Sequence, residues 1–91
     1  MRRHRLTVEP DASCLDGHFP GRPVIPGVVL LDAAIAAFGL TGPLRIAQAK
    51  FLRPCLPGMA LDMLLDDTSD GRMVLRIEHQ GQPMLLARLQ R

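Results

Sequence analysis

The chain has 91 residues, 47% of them hydrophobic, with three Phe, no Trp or Tyr, and a formal charge of +2. This predicts one globular domain, 1–91, whose small core would gain from a partner chain, and it excludes a disordered polymer. A charge this small and a near absence of stacking rings argue against a nucleic-acid binder. No apolar run reaches the roughly 20 residues of a membrane span, so no membrane insertion is expected.

Residues 1–5 are Arg-rich like the head of a signal peptide, but no apolar stretch follows before Pro10, and a cytoplasmic protein is expected. Residues 4–9, HRLTVE, alternate polar and apolar side chains and predict a short strand. A loop then runs from Pro10 to about Pro26. Pro20, Pro23 and Pro26 each fix their own φ and push the preceding residue toward extended backbone, so the loop is stiff. A polyproline ligand is disfavoured, because the segment leads straight into an apolar helix. Cys14 and Cys55 have no CxxC spacing and no neighbour that would lower a thiol pKa, which predicts reduced, unreactive thiols.

The run GVVLLDAAIAAF, 27–38, is apolar on every face except at Asp32, and Gly39 and Pro43 supply stop signals. A helix without a polar face predicts burial all round. Strands are predicted over 44–52, 60–67, 72–79 and 83–90, separated by RPCLPG, TSDG and QGQ. Short separators favour antiparallel pairing of successive strands. The expected fold is α+β, with one strand, a central helix, then a four-stranded meander: an antiparallel sheet of about five strands wrapped around one buried helix. Its open edge predicts a homodimer joined edge to edge.

Two residues stand out chemically. Asp32 interrupts an apolar helix, where burial of an ionised carboxylate is costly and the acid form is favoured. It is either a structural Asp bonded to an Arg or a general acid. His18, in the stiff loop, is a candidate base, since imidazole titrates near neutrality. His4 and His79 fall on predicted strands without such a context. No zinc-ligand spacing, GxSxG elbow or glycine-rich phosphate loop is present, so no metal or cofactor is expected. Gly27 opens the helix, where an unpaired N–H and the dipole favour negative charge and the missing side chain lets a ligand approach.

The segment GHFPGRPVIPGVVLLDAA resembles the active-site segment of the β-hydroxyacyl-acyl carrier protein dehydratases, hot-dog fold enzymes of fatty-acid synthesis and related polyketide or aryl-polyene pathways. AQAKFLRPCLPG, 47–58, is similar to the strand and turn that follow the helix in that family; the two cover about a third of the chain. The resemblance implies a hot-dog fold, His18 as catalytic base and Asp32 as acidic partner from the facing subunit, and Gly27 N–H bonded to the thioester carbonyl. It implies an acyl surface at Phe19, Val28, Leu31 and Phe51, and a carrier-protein contact at Arg22, Lys50 and Arg53. The partners implied are an acyl carrier protein bearing a phosphopantetheine thioester and a second hot-dog chain, identical or different, as in the short aryl-polyene dehydratases. An acid that is Asp, where many members have Glu, leaves double-bond isomerisation open. A hot-dog thioesterase and a non-catalytic hot-dog subunit are the competing readings.

Overall fold

The computed structural model describes residues 1–8, 24–68 and 70–91. Its elements are β1 (Arg2–Leu6), α1 (Gly27–Ala37), β2 (Arg45–Phe51), β3 (Leu61–Asp67), β4 (Arg72–His79) and β5 (Gln82–Gln90). Period-two alternation builds the sheet: along β4, Met73, Leu75 and Ile77 are buried while Arg72 and Val74 face out. Leu61, Met63 and Leu65 of β3 and Leu85, Ala87 and Leu89 of β5 extend that inner face, and α1 lays Leu30, Leu31 and Ala34 against the same core.

All pairings are antiparallel, in the order β1-β3-β4-β5-β2. The expected four-stranded meander is therefore only three strands long. β2 does not pair with β3 but lies at the far edge against β5, because residues 52–60 between them form a connection too long for a tight hairpin and carry Pro54 and Pro57, which cannot donate to a ladder.

β1 also begins earlier than its apolar pattern suggested and ends at Leu6. Arg2 and His4 pair with buried Leu65 and Met63 and so share the inner face. Arg2 lies 5.6 Å over the Phe38 ring, donates to the Phe38 carbonyl at 3.1 Å and meets Asp67 at 3.1 Å, while His4 stacks edge-on to the same ring at 4.9 Å. Polar side chains thus hold the C-terminal end of α1, whose carbonyls favour a nearby cation.

The expected all-round burial of α1 is not what the structure has. Its outer side is bare: Val28 is 63% exposed, and Asp32, Ala36 and Ala37 are exposed. A single sheet covers one side of a helix, and the described residues provide no second layer. No helix among them is long and apolar enough to cross a membrane.

The β4–β5 hairpin turns through Gln80 and Gly81, at φ 51° and 80°, between the paired His79 and Gln82. Two successive positive φ values are those of a type I′ turn, in which Asn is far better tolerated than Gln. Gln80→Asn is expected to raise unfolding stability by about 0.5–1 kcal/mol, read as a higher urea midpoint at unchanged slope.

Candidate active site

α1 starts without a side-chain cap. Pro26 occupies the N-cap at φ −59° and ψ 140°, and its carbonyl accepts Val29 N–H at 3.0 Å and Leu30 N–H at 3.4 Å. The N–H groups of Gly27 and Val28 have no partner among the described residues, and no acid lies in the first turn. They form a fixed positive pole aimed out of the helix. The residues leading into it are anchored by Ile25 N–H donating to the Cys55 carbonyl at 2.8 Å.

That pole opens beside a cavity of about 250 Å³. The wall is formed by residues 24–27 and Leu30, by Phe51 at the end of β2, by residues 52–55 that follow it, and by Met84. Phe51 lies flat on Gly27: a Cβ at position 27 would come within 2.7 Å of ring atoms Cδ1 and Cζ. Glycine is required there for close approach, not for an unusual φ. Met84 is the extra residue of a β-bulge, for Ile77 pairs with Leu85 but Glu78 with Pro83. Its carbonyl accepts Leu52 N–H at 2.9 Å and Arg53 N–H at 3.4 Å, which fixes the path of the chain beyond β2. Cys55 is free and buried, and burial pushes its thiol up. It is a wall residue without nucleophilic character at neutral pH.

The structure brings Gly27, Phe51 and Arg53 together around this cavity. It does not bring Asp32 there. Asp32 stands one turn beyond Val28 on the bare side of α1, about 7.5 Å along the axis from Gly27 by helical rise, exposed and without a hydrogen-bond or ion-pair partner among the described residues. The carboxylate expected to be buried is thus open to solvent in the single chain. Of the expected acyl surface, Val28 lies outside this single-chain cavity, on that bare side, and Leu31 is buried in the core, one position round from the wall residue Leu30. Lys50 and Arg53 do not share one rim, because Lys50 faces the outside of the sheet while Arg53 lines the cavity. His18, Phe19, Arg22 and Cys14 lie outside the described residues. Sequence reasoning missed Met84, Leu52 and Cys55 as wall residues. The two prolines around Cys55 read as a separator, and nothing in QPMLL announces a bulge.

The family model described as ApeI-like, ApeI dehydratase, matches residues 2–87. The 3-hydroxyacyl-acyl-carrier-protein dehydratase FabZ of Mannheimia succiniciproducens is 35% identical over 72 residues, covering 65% of this chain and 48% of its own length. The enzyme of the same name from Novosphingobium aromaticivorans is 38% identical over 83 residues, covering 76% and 51%. The chain therefore spans about half the length of the curated relatives it matches. Among solved structures, the dehydratase heterocomplex ApeI:P from Xenorhabdus doucetiae superposes with a TM-score of 0.75 at 24% identity, over 97% of this chain and 83% of that one. This likeness carries the fold.

The Gly27–Phe51 contact is testable by a double-mutant cycle. Gly27→Ala should lose about 1–3 kcal/mol to overpacking, and Phe51→Ala in the same chain should recover at least about 1 kcal/mol of it as coupling, measured by chemical denaturation.

Proposed function

The chain belongs to the ApeI-like dehydratase family, and from that membership we propose that it removes water from 3-hydroxyacyl thioesters held on acyl carrier protein, giving trans-2-enoyl thioesters. The observation that carries this reading is the unpartnered N–H pole of α1 at Gly27 opening onto an apolar cavity, with a carboxylate farther along the same helix. Dehydration needs three things. A base takes the proton from the carbon next to the thioester carbonyl, a role for His18. An acid gives a proton to the 3-hydroxyl as the carbon–oxygen bond breaks, so that it leaves as water, a role for Asp32. Fixed donors hold the negative charge that develops on the carbonyl oxygen, a role for Gly27 N–H and the helix start. The acyl chain lies against Phe51 and Leu30 in the cavity, which a covering partner would close to water.

This site is completed by a second hot-dog chain. Val28 and Asp32 on the bare side of α1, and Phe51, 58% exposed, and Ile46, 44% exposed, on the inner side of edge strand β2, leave an uncovered, largely apolar surface in the single chain. A partner joined at β2 would cover it and bring its own His18 toward Asp32. The Xenorhabdus doucetiae neighbour was solved as a heterocomplex, which adds a different chain to a second copy as candidates for that partner. A cytoplasmic setting accords with the free thiol of Cys55.

The test is to incubate the purified protein with a 3-hydroxyacyl thioester and follow both enoyl product and free thiol. Enoyl product is expected, with His18→Ala and Asp32→Asn each lowering the rate by about 10²–10⁴. Thiol release without enoyl product would instead mark a thioesterase. In a self-associated protein, unfolding and refolding the two variants together should restore about a quarter of wild-type activity, since mixed dimers hold one intact site. No recovery would place both groups on one protomer.

A further inference from the structure

The outer face of the sheet carries a second feature, away from the cavity. Two adjoining grooves of about 180 and 400 Å³ run over β2, β5 and β4 and share Val74 and Arg88. Register explains their composition. Lys50 pairs with Leu86, Gln48 with Arg88, and Arg88 with Val74, so these side chains stand together opposite the buried Leu85, Ala87 and Leu89. Val74, 41% exposed, and half-buried Leu86 make an apolar floor. Lys50 and Arg88 have no acidic partner among the described residues, and Arg72 meets only Asp70 of its own hairpin, at 3.5 Å. No Asp or Glu lines either groove.

Cations left unpaired over exposed apolar side chains select an acidic surface with apolar contacts of its own. Within the grooves a second copy would set Lys50 and Arg88 against like charge, while Asp66, which pairs with Val74 from β3, shares the wider face but lines neither groove. We propose that this groove docks the acidic surface of the carrier protein that delivers the acyl thioester. The inference rests on the dehydratase reading and gives its partner a location. Strand alternation supplies the link to chemistry: Lys50 points into the groove and Phe51, the next residue, into the cavity. A carrier seated on Lys50 and Arg88 is therefore one strand's thickness from the acyl site, and its thioester arm reaches it around the end of β2, past Leu52 and Arg53.

The experiment compares the same 3-hydroxyacyl group on the carrier protein and on a small thiol such as N-acetylcysteamine, using the full chain with Arg88→Glu, Val74→Glu and, on the opposite edge strand, Arg3→Glu. Arg88→Glu should lower kcat/KM for the carrier-borne substrate at least about tenfold, mainly through KM, and flatten its dependence on salt. Val74→Glu should act in the same direction. Turnover of the small thioester should stay within about twofold, and Arg3→Glu should change neither. Equal losses on both substrates, or no loss on the carrier-borne one, would overturn the proposal. If the wild-type protein alone turns over neither thioester, docking is judged separately by titrating the carrier protein into the wild type and Arg88→Glu: weakened binding in the variant supports it, and unchanged or absent binding overturns it.

Discussion

One layer of sheet can shield only one side of a helix. Everything distinctive about this chain follows from that constraint acting on a helix with almost no polar surface. The inner side of α1 is satisfied by Leu30, Leu31 and Ala34 against the sheet, and Phe38 closes its C-terminal end. The other side presents Val28 and Asp32 to solvent. A soluble helix ordinarily resolves this by carrying charges outward. Here a single carboxylate, Asp32, stands among apolar neighbours with no partner among the described residues, which is why its proposed role lies between two chains rather than within one.

Strand alternation does the remaining work of placement. The C-terminal end of β2 sends Phe51 onto Gly27 and Lys50 to the opposite face, so one short edge strand serves the cavity on one side and the cationic groove on the other. The bulge at Met84 directs the following segment, since its carbonyl holds both Leu52 and Arg53. The helix pole, the ring beside it and the arginine at the cavity rim are thereby fixed by backbone hydrogen bonds.

Much of this was legible in the residues, and what was not has physical reasons. β4 lies where its alternation puts it, and α1 starts at Gly27 as its apolar run and preceding proline indicate. The place of β2 in the sheet was hidden, because local turn chemistry reports which strands can be joined tightly and not which are brought together over distance. β1 starts before the expected residue 4 because Arg2 occupies an inward position by packing on an aromatic ring, a role that hydrophobic periodicity does not register. Asp32 stands out in the sequence as a chemical candidate, but its exposure is not legible there, since burial inferred from neighbours in sequence assumes that the covering layer belongs to the same chain.

The sheet order also bears on how the chain folds. β3, β4 and β5 are joined by two short hairpins and form from neighbouring sequence, whereas β1 must travel from the opposite end of the chain to reach β3, and β2 must skip two strands to reach β5. Distant pairings pay their loop-closure entropy late, so the central hairpins are expected to form first and both borders afterwards. The borders are then the first parts to open in the native protein. The strand that carries Phe51 and Lys50 is one of these two borders, so assembly along it would both complete the proposed reaction centre and anneal an edge of the fold.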